Sequence, residues 1–209
     1  KHFINFVQKS IAFSWIYCLK PETINISAYK DEVREYPEVE VIEVLLHKDY
    51  KLKRIAEIIM RTIPYPMVLI FRLEGKVKFY VAHQRTNQSD SSKNTIEEFI
   101  ATDWLESDSA LFDKLDIKQM RFANFYALYS DIVDTISIYN LSNIIPTDDN
   151  ITGAEARELS AQIEDIEQEI TSLRAKLKKV TQFNRKMELN MEIKRLGQNK
   201  NKLLGGDRI

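Results

Sequence analysis

The stretch from residue 39 to residue 85 constrains the fold more than any other part of the chain. It begins with VEVIEVLL, an apolar and β-branched run that is typical of a strand. Apolar side chains then recur at helical spacing, at Leu52, Ile55, Ile58, Ile59 and Ile63. Residues 67–73 and 77–82 flank Glu74-Gly75-Lys76, a short break of the kind that closes an antiparallel hairpin. The order β-α-β-β predicts the centre of a mixed sheet.

Composition and charge divide the chain into two parts. Of its 209 residues, 44% are hydrophobic and 10% aromatic, as in folded globular proteins. Residues 1–152 carry 18 basic and 22 acidic side chains, whereas residues 153–209 carry 12 and 9. The prolines stop at Pro146. We therefore predict an α/β (α+β) domain at 1–146, a linker at 147–152, a helical hairpin at 153–204 and a tail at 205–209.

The predicted hairpin rests on a heptad seam that changes register. The first part steps by alternating fours and threes, at Leu159, Ile163, Ile166, Ile170, Leu173 and Leu177, and the second part does not continue that register, at Leu189, Ile193, Leu196 and Leu203. A stutter in one long helix explains the shift, and so does an antiparallel hairpin turning near residues 179–184. Residues 153–173 hold six acids and one arginine, and residues 185–204 hold six bases and two acids. The hairpin is favoured because it pairs opposite charges, although homo-oligomerisation stays open.

Three further elements follow from local pattern. Residues 10–20 are aromatic and β-branched before Pro21, which favours a strand. Apolar residues at three-and-four spacing predict a long helix over residues 117–139, covering one face of the sheet. The polar residues 86–94 predict a loop. Five aromatic residues along the chain are interpreted as core: Trp15, Tyr17, Trp104, Tyr126 and Tyr129.

The predicted turn of the hairpin gathers six basic residues with no acid between Glu169 and Glu188: Arg174, Lys176, Lys178, Lys179, Arg185 and Lys186. Such a set attracts phosphate groups through counterion release, and the alternative is a solvated helix end. Phe183 lies among them and is able either to stack on a base or to close the end of the hairpin. Packing is the favoured interpretation for Phe183, which we nevertheless include with the six basic residues in the candidate contact for a partner or nucleic acid.

The sequence does not predict a catalytic centre. Glu40, Glu43 and Lys48 lack the spacing of a carboxylate followed by Glu-x-Lys that a restriction-type nuclease needs. The 209 residues contain no phosphate-binding glycine loop, nucleophile elbow or H-E-x-x-H motif. A cryptic metal-dependent nuclease is the weakest of the functions considered.

Metal binding is equally weakly signalled. His47 and His83 would be able to bind one metal ion, with Asp103 as a third ligand, only if their strands are neighbours. The favoured interpretation is that both histidines are ordinary hydrogen-bonded residues at strand ends. Cys18 is the single cysteine, so we expect neither an intrachain disulfide nor a cysteine zinc site, which fits a reducing cytoplasm. We expect no metal and no cofactor.

Three segments together resemble the family known as domain of unknown function 4391: SWIYCLKPETINI, then the β-α-β-β stretch with IPYP and AHQR, then KKVTQFNRKMELNMEIKRL. The resemblance implies a bacterial or archaeal protein of the kind found beside DNA methylases and helicases in restriction and antiviral defence regions. It assigns no residue a catalytic role. We therefore expect a cytoplasmic, non-enzymatic accessory subunit, without membrane contact, that docks a helicase or methylase. The alternatives are a nucleic-acid-binding module that uses the basic set, and the nuclease.

Overall fold

The computed structural model describes residues 11–86, 94–147 and 150–205. The strands are β1 Ile11–Leu19, β2 Tyr29–Lys30, β3 Glu35–Tyr36, β4 Val39–Leu46, β5 Met67–Leu73, β6 Lys76–Val81, β7 Gln84–Thr86, β8 Asn94–Ile96 and β9 Ile100–Ala101. The helices are α1 Pro21–Ile24, α2 Leu52–Thr62, α3 Ala110–Lys114, α4 Phe125–Ser142, α5 Gly153–Lys179 and α6 Phe183–Leu203. Outside the described residues lie 1–10, most of the predicted loop (87–93), part of the predicted linker (148–149) and most of the predicted tail (206–209).

The predicted β-α-β-β unit is confirmed and forms the centre of a five-stranded mixed sheet in the order β1-β4-β5-β6-β9. Strands β4 and β5 are parallel, and the other neighbouring pairs are antiparallel. Alternate residues of β4 pack against α2, so Ile42 and Val44 are buried beside Ile55. The β5–β6 turn places Glu74 at φ 50° and Gly75 at φ 84°, which glycine tolerates without strain.

Strand β1 forms as predicted from residues 10–20, but the interpretation of its aromatic residues as core is wrong. Among the described strands, β1 is the outermost on its side of the sheet, and Phe13, Trp15 and Tyr17 are 45%, 62% and 65% exposed. Residue type did not predict this, because aromatic and β-branched residues are favoured in strands generally and do not by themselves report the position of a strand in the sheet. Tyr129 is fully buried, and Trp104 and Tyr126 are half-buried.

The helix predicted over residues 117–139 begins later, at Phe125. A short 3-10 turn occupies Ile117–Gln119, and the Asn124 side chain then accepts a hydrogen bond from the Ala127 N–H at 2.9 Å. Asparagine at this position caps a helix N-terminus, so the regular apolar spacing upstream does not continue the helix. Within α4, the Tyr129 hydroxyl donates to the Met67 carbonyl at 2.8 Å and accepts from the Ala82 N–H at 3.0 Å. Helix α4 is thereby tied to the ends of β5 and β6.

The chain forms two compact units that divide between Ile136 and Ser137, inside α4. The domain boundary predicted at residues 147–152 stays a prediction. In the second unit, Leu141 and Ile145 pack with Ala156 and Ile163 of α5.

The predicted antiparallel helical hairpin is confirmed in the second unit, with a turn at residues 180–182 between α5 and α6. Its buried seam includes Ile163 and Ile170 from α5 and Leu189 and Leu196 from α6. Helix α5 begins in a capping box, where Thr152 and Glu155 bond each other's backbone N–H. None of the helices in the described ranges has the length and apolar character that a membrane crossing requires.

Candidate functional site

The six predicted basic residues all lie at the turn of the hairpin, and all are exposed. Four end α5 (Arg174, Lys176, Lys178 and Lys179) and two begin α6 (Arg185 and Lys186). Cations at a helix C-terminus are favourable to the helix dipole, so the α5 set has a structural explanation. Cations at a helix N-terminus are unfavourable, and helix stability therefore does not explain Arg185 and Lys186. Arg185 is partly compensated by Glu188, 2.5 Å away.

The structure contradicts the interpretation that Phe183 closes the end of the hairpin, because its side chain is 73% exposed. One and two turns further along α6, Met187 and Met191 are 50% and 69% exposed. The spacing of four residues places all three on one stripe of the helix surface. Leu189, which packs against α5, lies two positions from Met187 and so about 200° around the helix. Helix α6 is therefore apolar on two opposite sides, of which only one is covered by α5.

Charge pairing between the arms of the hairpin is partial. The Lys200 ammonium on α6 pairs with the Glu167 carboxylate on α5 at 2.5 Å. Arg195 instead pairs with Glu192 on its own helix, also at 2.5 Å. An open groove of about 580 Å³ between the two helices is lined by Arg174 and Lys194 as well as this Lys200. Glu167 also lines this groove and pairs with Lys200, so the net positive charge of the groove comes from Arg174 and Lys194.

The predicted metal ligands His47, His83 and Asp103 do not meet. Strand β6 is antiparallel to β5, which is parallel to β4, so His47 after β4 and His83 after β6 lie at opposite ends of the strands. The Nδ1 atom of His83 instead lies 2.8 Å from the Tyr36 hydroxyl. The condition that the two histidine strands be neighbours fails because β5 separates them.

The carboxylates considered for a nuclease are also separated. Glu40 and Glu43 are three residues apart on β4, so their side chains point to opposite faces of the sheet. Glu43 forms an ion pair with Arg72, and the Lys48 ammonium lies 5.4 Å from the centre of the Tyr50 ring. These three residues therefore do not form the constellation that the nuclease hypothesis requires.

Comparison with known proteins gives a family. The family model described as Domain of unknown function (DUF4391) matches residues 1–199. The chain belongs to the DUF4391 family. No curated protein and no solved structure matches it.

The DUF4391 chain also assembles a polar cluster that the sequence did not predict. Cys18 on β1 lies opposite Glu40 on β4, and Glu38 lies two residues before Glu40. The Cys18 Sγ atom is 3.6 Å from Glu38 Oε2. Burial raises the pKa of the Cys18 thiol to about 11, and the charges of the two carboxylates add to the shift. Burial also raises the pKa of Glu40.

No local motif signals this cluster, because its residues come from two strands that are 20 or more positions apart. Glu38 and Glu40 are close in the sequence, but Glu38 precedes β4 and its orientation does not follow from the alternation of that strand. The pairing of β1 with β4 supplies the cysteine.

Proposed function

We propose that this DUF4391 chain is a non-enzymatic accessory subunit of a prokaryotic DNA-directed system, in restriction or antiphage defence. Its helical hairpin docks a helicase or methylase of the same system in the cytoplasm. The observation that carries the proposal is the exposed stripe of Phe183, Met187 and Met191 on α6.

Exposed apolar stripes on a helix are typical of surfaces that receive a partner. Phe183 and Met191 are more exposed than most aromatic or methionine side chains of a folded protein, and they lie on the side of α6 that α5 leaves uncovered. Methionine and phenylalanine are also enriched at protein interfaces. The stripe therefore has the composition of a docking surface for an apolar helix face.

Charge indicates the chemistry of the partner. Helix α6 carries the exposed cations Lys186 and Lys194, and residues 185–204 carry six bases against two acids. A partner segment that is apolar with acidic flanks would complement this surface. The resemblance to proteins encoded beside helicases and methylases supplies the candidate partners.

The proposal is tested by co-expressing the chain with the helicase and the methylase encoded beside it, followed by size-exclusion chromatography. We expect co-elution with one of them. The double variant Met187→Glu, Met191→Glu places charge on the stripe without touching the buried seam, and we expect it to elute alone. The matched control Ser172→Glu, Ala175→Glu adds the same charge at exposed positions of α5 and should still co-elute.

Two results of this experiment would refute the proposal or its assignment to α6. Elution of the unmodified chain by itself in every combination refutes the proposal. Co-elution that the stripe variant and the control retain equally would place the docking surface elsewhere on the chain and refute the assignment to α6.

A second function, nucleic-acid binding, is favoured by the position of Arg185 and Lys186 at the N-terminus of α6, where they oppose the helix dipole. If all six cations contact phosphates, the logarithm of the DNA affinity should fall with the logarithm of salt concentration with a slope of about −5. The triple variant Lys178→Glu, Lys179→Glu, Arg185→Glu should then lose about half of that slope. DNA binding that is insensitive to salt and to this variant excludes the turn as the contact.

A further inference from the structure

We propose that Cys18, Glu38 and Glu40 form a binding site for one zinc ion, at the point where the edge strand β1 meets β4. The ligand atoms of these three residues all lie within 4.8 Å of one another. Among the residues that the structure describes, this is the one group of three metal-binding side chains that is so closely placed. The inference does not depend on the proposed docking function.

The geometry fits zinc coordination. A zinc-bound sulfur at about 2.3 Å and a carboxylate oxygen at about 2.0 Å, in tetrahedral arrangement, lie about 3.5 Å apart. The distance between Cys18 Sγ and Glu38 Oε2 is 3.6 Å. The backbone holds two of the ligands in place, because Cys18 and Glu40 are directly paired across the strands. Glu38 lies just before β4, and its carboxylate oxygen is within 4.8 Å of the other two ligand atoms.

A second observation points to a missing cation. Glu40 is only 6% exposed, and its Oε2 atom is buried without a hydrogen-bond partner among the described residues. A buried carboxylate oxygen is costly unless it is paired or binds a metal. The side chains that interact with Glu40 are Cys18, Glu38 and Trp15. Trp15 offers only an N–H donor, so a cation is the partner that would bind the ligand atoms of Cys18, Glu38 and Glu40 together.

The donor types select the metal. Magnesium and calcium prefer sites made entirely of oxygen, whereas a thiolate with two carboxylates suits the borderline-soft zinc ion. Three protein ligands leave a fourth position for water. Cys18 is half-buried, so the site is reachable from solvent. The ion would fasten the end of β1 to the start of β4.

The test uses the purified full chain without a histidine tag, with cobalt(II) as a spectroscopic substitute for zinc. Cys18 is the only cysteine. A thiolate-to-cobalt charge-transfer band therefore reports on this site alone. We expect the band at one cobalt per chain, its loss on adding zinc, and a higher melting temperature with zinc than with a chelator.

Two variants and one control decide the assignment. Glu40→Gln and Glu38→Gln should each weaken zinc binding by about tenfold or more, measured by competition with a chelating indicator. The control is Glu43→Gln. Glu43 lies on β4 but faces the opposite side of the sheet from Glu40, so this variant should bind zinc as the unmodified chain does. Circular dichroism establishes that each variant is folded, and Glu38→Gln, at a half-buried position, keeps the test available if Glu40→Gln does not fold.

Absence of a thiolate-to-cobalt band at saturating cobalt overturns the proposal. So does a band that both glutamine variants retain at unchanged affinity, and so does stronger binding of magnesium or calcium than of zinc.

Discussion

Removing the Tyr129 hydroxyl should destabilise the first unit more than the loss of so small a group suggests. The side chain is fully buried, and burial raises the pKa of Tyr129, so the hydroxyl stays protonated at neutral pH. It donates to the Met67 carbonyl at 2.8 Å and accepts from the Ala82 N–H at 3.0 Å. Tyr129→Phe would remove both hydrogen bonds at the ends of β5 and β6 and leave the Ala82 N–H facing a ring.

The expected decrease in the free energy of unfolding follows from these two hydrogen bonds. A hydrogen bond contributes about 1 kcal/mol, and a buried donor left without a partner costs about 1–3 kcal/mol. Together they give about 2–4 kcal/mol for Tyr129→Phe. The measurement is urea denaturation followed by circular dichroism, with the same dependence on urea expected for both proteins.

Tyr126→Phe is the matched control, because it makes the same chemical change one turn earlier on the same helix. Tyr126 is half-buried, and its ring stacks on Tyr29 at 4.9 Å between centroids, a contact that phenylalanine retains. We expect a loss below about 0.5 kcal/mol, as for most substitutions that leave packing intact. If Tyr129→Phe costs no more than this control, the hydroxyl does not tie α4 to the sheet and the reasoning is refuted.

Three further outcomes test other parts of the structure. Thr152→Ala removes the cap of α5 and should lower the free energy of unfolding by about 1 kcal/mol, so an unchanged urea midpoint would contradict the capping assignment. Leu189→Ala should lower the free energy of unfolding by about 2–4 kcal/mol, because Leu189 is buried, whereas Met187→Ala should lower it little. Equal losses would mean that the two sides of α6 do not differ in burial. Hydrogen bonds from the Tyr29 hydroxyl and two backbone N–H groups lower the pKa of Asp31, so its stabilising contribution is full at neutral pH and is lost as the pH falls below about 4 through the lowered pKa. Titration of the Asp31 carboxyl by NMR checks this, and an ordinary or raised pKa would contradict it.

Local periodicity was sufficient to predict the centre of the fold. The alternation of β4, the helical spacing of α2 and the break at Gly75 each report a local property, so the β-α-β-β order could be predicted from sequence. The same holds for the hairpin at residues 153–204, where the shift of register and the reversal of charge indicate a turn.

The errors arose where a residue's environment is set by distant parts of the chain. Trp15 has the character of a core residue, and its exposure depends on β1 being at the edge of the sheet. Phe183 has an apolar side chain beside a turn, and its exposure depends on how α5 and α6 align. The start predicted at residue 117 for helix α4 was wrong, because the cap at Asn124 outweighs regular apolar spacing upstream.

The composition of the candidate zinc site depends on the register of one strand pair. Trp15 pairs with Ile42, but Tyr17 pairs with Val41, so one extra residue at Ile16 bulges from β1. Without that bulge the register would continue unchanged, and Tyr17 would lie opposite Glu40 in place of Cys18. Closing the bulge would therefore exchange a thiol for a phenol beside this carboxylate and turn Cys18 to the other face, with no substitution anywhere in the chain.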